Sequence, residues 1–316
     1  MLFSLRTKNY FRAWIFIEIN LVRFICVLNI NKCKFQSLVR IKYFIIQRGV
    51  SLIILVILAC TQIVPQNFNL VLVLLFLVKL GAAPFHAWFI RITLKINWFN
   101  LFWASTFQKM IPLIMITYLR NFSIINILIL GAGVSRIAAF FQYNLKKILA
   151  YSSVFRLNWI IARLFFREIF WLKFLIIYGA LKLSVILINF NLIATSNKFN
   201  LRVRKLSLKI LMVIRFLAII GVPPFPIFFL KILIVKKMLI IFRGLTARLL
   251  VSSVALIFMY LSFSIKILTN SSQLIFTRSM YYTKWLTVST NALSIFASWS
   301  FILLLQKNQE FWFLNS

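Results

Sequence analysis

Five ionisable residues sit within or at the edge of apolar runs: Glu18 in FIEINL, Lys79 in FLVKLG, Lys109 in TFQKMIPL, Lys147 in LKKILAYSS and Lys231 in PIFFLKIL. A Lys or Glu at the centre of a membrane helix costs about 2.5–3.5 kcal/mol on insertion scales. A partner, a water-filled cavity or a function has to offset that cost. Desolvation disfavours a charged lysine and an adjacent carboxylate favours it, so moving the carboxylate switches the lysine's protonation. A string of such lysines passes protons with no metal or organic cofactor. Each also has a structural reading, because a long stem can snorkel to an interface. Lys147, at the start of its run, is the most open to it. Lys79 and Lys231 lie beside helix breakers, Gly81 and Pro84 for the first and Pro223 and Pro224 for the second. Freed backbone groups there need polar company. His86, the sole histidine, follows Lys79 by seven residues, the same face of an unbroken helix. It suits a hydrogen-bond donor near the membrane surface as well as a proton carrier.

Other chemistries are excluded quickly. There is no Ser/His/acid set, no Gly-rich phosphate loop and no closely spaced carboxylate pair. Cys26, Cys33 and Cys60 lack metal-ligand spacing and read as small packing residues. The formal charge is +34, with no Asp and only Glu18, Glu168 and Glu310 as acids. Many of the positive charges lie inside apolar runs rather than in solvated patches, so nucleic acid is not the expected partner. The lipid bilayer is.

The elements that must position these groups are membrane helices. The chain is 63% hydrophobic, with a mean hydropathy of +0.97 and 35 Phe against 7 Gly. That is more apolar surface than a soluble fold of this length can hide. About 20 apolar residues cross a bilayer as a helix. Ten such spans are expected near 10–31, 41–64, 68–90, 98–119, 122–142, 145–165, 168–194, 206–242, 246–269 and 285–306. Gly81–Pro84 breaks the third, and Pro223, Pro224 and Pro226 break the eighth. The fold class is all-α: one polytopic bundle over residues 1–316, with two interrupted helices of the kind that place ion sites in transporters. No cleavable signal peptide is expected, since the first run merges into a full span. Lys and Arg crowd the loops after spans 1, 3, 5, 7 and 9, while residues 61–70 carry none. The positive-inside rule then puts both termini on the outer side.

Five motifs, WIFIEINLVRF, KLGAAPFHAWF, TFQKMIPL, LKKILAYSSV and GVPPFPIFFLK, stand in an order and spacing that resembles the mitochondrial NADH dehydrogenase subunit 2 family. Its members are antiporter-like membrane subunits of respiratory complex I. The resemblance spans roughly residues 14–240. It implies a mitochondrial inner-membrane subunit that translocates protons in a complex passing electrons from NADH to ubiquinone. Neighbouring membrane subunits would be partners, and NADH, FMN and iron–sulfur clusters would be bound elsewhere in the complex. It further implies that Glu18 pairs with Lys79, that Lys109 continues the path, and that Lys147 and Lys231 extend it. A free-standing cation/proton antiporter is the alternative with the same fold and charge logic. Three departures stand out: few residues precede FIEINL, Arg156 and Asn158 replace a usual histidine and glycine, and FFQYN replaces a polar turn. The first departure suggests a truncated or misplaced start.

Arg23, Arg136, Arg156, Arg163, Arg215 and Arg248 lie in apolar spans with no acid near most of them. Many animal mitochondria decode AGA and AGG as serine, a small residue that packs between membrane helices. Serine is therefore expected in the native protein at some of these positions, and at Arg48.

Overall fold

The computed structural model describes residues 10–29, 34–60, 69–119, 131, 133, 144–164, 170–194, 206–223, 225–241 and 243–269. They form helices α1 (Tyr10–Asn29), α2 (Lys34–Cys60), α3 (Asn69–Leu80), α4 (Ala87–Lys95), α5 (Trp98–Ser105) and α6 (Phe107–Leu119). After Asn144 come α7 (Leu145–Leu164), α8 (Phe170–Ala194), α9 (Leu206–Ile220), α10 (Pro226–Ile241) and α11 (Arg243–Thr269). No strand occurs among the described residues. The expected span 285–306 lies outside them, as does nearly all of 122–142. Among the described residues, three helical stretches are long and apolar enough to cross a membrane: Ser37–Cys60, Trp171–Asn189 and Arg243–Ile265.

By its internal contacts the chain divides into two units, Met1–Leu175 with Met238–Met259, and Ile176–Lys237 with Tyr260–Ser316. In the first unit α1 packs on α2 and α6, α3 on α2 and α6, and α7 on α4 and α6. The helices there turn their polar groups inward. On α2, Val39, Tyr43, Gln47, Ser51 and Ile54 form a buried seam, while Leu38, Ile41, Ile45, Leu52 and Val56 face out. That inversion of the soluble pattern follows from the solvent: lipid is as apolar as leucine, so packing and interhelical hydrogen bonds hold the helices together. α7 has no outward face from Ile148 to Leu164, and its Ser152, Ser153, Arg156 and Asn158 are buried in protein.

Within the third expected span, α3 stops at Leu80 and α4 starts at Ala87. Gly81 has φ +60°, the left-handed conformation that glycine adopts freely. Ala82 N–H donates to the Leu77 carbonyl and Gly81 N–H to that of Val78, both at 3.0 Å. This is the paired closure that ends a helix on a left-handed glycine. The same closure ends α9, where Gly221 has φ +79°. There Val222 N–H reaches Leu217 O at 3.3 Å and Gly221 N–H reaches Ala218 O at 3.2 Å.

One expectation fails. The span at 98–119 is not a single helix but α5 and α6, stepping at Thr106. Ser105 and Thr106 hydroxyls both donate to the Phe102 carbonyl, at 3.0 and 2.7 Å. Such back-bonding competes with the helical ladder and bends it. Pro112, without an N–H, weakens the next turn.

Candidate functional site

Lys79 lies in the last turn of α3, at the break, and is 5% exposed. Three groups satisfy the carbonyls that the break leaves open around it. Besides the glycine closure, Trp88 Nε1 donates to Val78 O at 3.0 Å and Gln47 Nε2 donates to Lys79 O at 3.1 Å. The backbone is thus held, while Lys79 Nζ has no hydrogen-bond partner among the described residues. An enclosed amine with a fixed backbone and an uncommitted head can change its charge and its partner.

The expected Glu18–Lys79 pair is not the one formed. Glu18 makes its ion pair with Arg48 of α2. Arg48 wins because it lies one residue after Gln47 and one turn from Ser51, so its fork reaches the α1 face that carries Glu18. Trp14 Nε1, one turn before Glu18, donates to Ser51 O at 2.9 Å and locks α1 against α2 in this register. The second Glu18 oxygen is buried without a hydrogen-bond partner among the described residues.

Lys109, on α6, is 3% exposed. Its Nζ donates to Ser153 Oγ of α7 at 3.3 Å and lies 4.5 Å from the centroid of the Phe89 ring on α4. Ser153 in turn donates to Ala150 O at 2.7 Å. A hydroxyl and an aromatic face serve the ammonium and tolerate the amine, whereas a carboxylate would bind the charged form fast. Gln108, on the adjacent face of α6, links α1 and α2: its Oε1 accepts from Asn20 Nδ2 at 2.9 Å and from Tyr43 OH at 3.3 Å.

Of the Lys146–Lys147 pair, the neighbour of the expected residue makes the contacts. Lys146 Nζ donates to Ile96 O at 2.8 Å and lies 5.3 Å from the Trp98 ring centroid. Lys147 is half-buried in the first turn of α7. His86 is buried, its Nδ1–H donating to Pro84 O at 3.1 Å with Tyr151 edge-on at 6.0 Å. It clasps the break. In the second unit Lys231 is half-buried and its Nζ donates to Ile220 O at 2.7 Å, capping the last residue of α9. Pro223 lies in the α9–α10 turn, and Pro224 lies outside the described residues.

Sequence reasoning passed over two buried lysines, Lys182 and Lys209. Lys182 of α8 is 0% exposed, and the signal for it was a helical face, Tyr178, Lys182 and Asn189, inside an otherwise apolar helix. Of the arginines, Arg156, Arg163 and Arg215 are buried and Arg23 and Arg248 exposed. Arg136 lies outside the described residues. Among the described residues no cluster of His, Cys, Asp or Glu could hold a metal ion.

Residues 59–259 match the family described as NADH:quinone oxidoreductase/Mrp antiporter, TM. The chain is 32% identical over 250 residues to NADH-ubiquinone oxidoreductase chain 2 of Anopheles gambiae, covering 75% of this chain and 73% of that one. It is 30% identical over 253 residues to the protein of the same name from Aedes aegypti, with the same coverage. In structure it is similar to a chain of respiratory complex I from Thermus thermophilus with bound aureothin. The TM-score is 0.71 at 17% identity, over 90% of this chain and 72% of that one. The fold is an all-helical, antiporter-like membrane fold.

Proposed function

We propose, from the premise that the chain belongs to the NADH:quinone oxidoreductase/Mrp antiporter transmembrane family, that it is a core membrane subunit of NADH:ubiquinone oxidoreductase. In that role it contributes a proton-translocation channel in the mitochondrial inner membrane. The observation that carries this reading is the likeness to chain 2 proteins across three quarters of the sequence. That likeness favours a subunit of a complex over a free-standing antiporter. The redox groups belong to partner subunits, and this chain's task is to move protons. Residues 1–316 work as one domain of about ten crossings, with α3–α4 and α9–α10 as broken spans and both termini on the intermembrane-space side.

The proton path begins at Glu18 and Lys79. When Glu18 moves towards Lys79 the lysine gains a counter-charge, and when it moves away the lysine loses one. Which protonation state is stable changes with each swing. Lys109 receives the proton within its pocket of Ser153 and Phe89, and Lys147 and Lys231 carry it onward. Gly81–Pro84 and Pro223–Pro224 open the backbone so that water reaches the lysines beside them.

The test is a tagged chain purified from mitochondria. It should bring down an NADH-oxidising, flavin-bearing complex, whereas isolation of the chain alone would support the antiporter alternative. In the same complex Lys79→Met should lower proton pumping with assembly intact. Normal turnover and stoichiometry in the assembled variant would remove Lys79 from the path.

A further inference from the structure

We infer that Lys182 is a further proton-carrying group of this chain, an inference that rests on the proton-translocating role proposed above. Lys182 is the middle residue of α8, Phe170–Ala194, and lies two residues from the centre, at 180, of the apolar stretch Trp171–Asn189. Hydrocarbon extends about 15 Å to either side of a bilayer's midplane, too far for a lysine stem to snorkel out. The side chain is 0% exposed, so protein rather than lipid surrounds the amine.

α8 is unbroken on both sides of Lys182, so the lysine does not sit at a break of its own helix. What α8 does present is a buried polar face. Tyr178, one turn before, sets its ring centroid 5.7 Å from Lys182 Nζ, an arrangement that steadies an ammonium without neutralising it. Asn189 lies seven residues after Lys182, back on the same face. It is 4% exposed, and its Nδ2 has no hydrogen-bond partner among the described residues. A buried amide donor of that kind is where an internal water belongs. Ring, amine and amide thus line one side of a mid-membrane helix, with Val185, 0% exposed, as the dry residue between the last two.

In each cycle the Lys182 ammonium passes one proton to a water on the Asn189 side, one N–H bond breaking to leave the neutral amine. The amine then takes one proton from a water on the other side, and no electron moves.

Three variants in assembled complex I test this, read as protons pumped per NADH oxidised in inner-membrane vesicles. Lys182→Met should lose pumping comparably to Lys109→Met, with NADH oxidation by an artificial acceptor unchanged. Lys182→Arg should lose it as well, because arginine keeps the charge and does not deprotonate. Wild-type stoichiometry in Lys182→Met beside a loss in Lys109→Met would overturn this inference alone. Wild-type stoichiometry in both would overturn the proton-path reading and this inference with it. If Lys182→Met fails to assemble, Lys182→Arg decides: normal pumping makes the lysine a fixed charge and overturns the inference, and lost pumping upholds it.

Discussion

A lysine that must both hold and release a proton needs neighbours of intermediate strength, and Lys109 has them in Ser153 and Phe89. Hydrogen bonds to charged groups contribute about 1.5–3 kcal/mol, and about 1.4 kcal/mol is tenfold in an equilibrium. Ser153→Ala should therefore reduce coupled pumping by about tenfold or more, while assembly and NADH oxidation by an artificial acceptor stay level. Lys109→Arg should be nearly as damaging as Lys109→Met, since arginine does not deprotonate. Pumping equal to wild type in Lys109→Arg vesicles would reduce Lys109 to a fixed charge. At Glu18 the contest is between Arg48 and Lys79, and the identity of residue 48 decides it. With serine at 48, Glu18 has lost its only ion-pair partner among the described residues and is released to Lys79. Peptide mass spectrometry of the native subunit reads the answer directly. Serine masses at 48 and at Arg163 or Arg215, with no tryptic cleavage there, are expected. Arginine masses with cleavage would fix the Glu18–Arg48 pair as native.

At the scale of the helix, the two breaks depend on one glycine each. A Cβ at Gly81 would come 2.8 Å from Phe89 Cβ, and one at Gly221 would come 2.8 Å from Ile227 Cγ2. A left-handed conformation costs an L-residue about 1–2 kcal/mol before any clash. Gly81→Ala and Gly221→Ala should each lower the amount of assembled complex and its melting temperature. Gly49→Ala, inside α2 with nothing within 4 Å of its Cβ, should leave both unchanged or slightly raised. Equal behaviour of all three on native gels would mean that the breaks tolerate a side chain. Interruptions were expected at Gly81–Pro84 and at Pro223, Pro224 and Pro226 because these residues sit inside apolar runs that they disfavour continuing as helix. The step at Thr106 was not, because its cause is two hydroxyls choosing one carbonyl, and Ser and Thr do so only in some helices. The lysines beside breaks were likewise legible, and Lys182 was not, since its burial depends on which face α8 turns inward. The Glu18–Arg48 pair and the choice of Lys146 over Lys147 depend on helix rotation, which periodicity does not supply.

At the scale of the whole chain, the issue is which way the helices cross. The loop charges argue for an N-terminus in the intermembrane space, since the segment after α2 from 61 to 70 has no Lys or Arg, and the one before it carries Lys32 and Lys34. Among the described residues α2 holds one of three stretches long and apolar enough to cross alone, and a crossing there would put its two ends on opposite sides of the membrane. Three cysteines mark those ends. Cys60 is exposed and is the last residue of α2. Cys33 immediately precedes Lys34, the first residue of α2, and Cys26 sits in the last turn of α1 on the same side. In mitoplasts, with the outer membrane removed, a membrane-impermeant maleimide should label Cys60. Cys33, beside Lys32 and Lys34, should react only after the inner membrane is permeabilised if the positive-inside rule orients the chain. Cys33 labelled first, with Cys60 protected until permeabilisation, would invert the topology, and the positive charges at 32 and 34 would then face the intermembrane space against the rule that orients them.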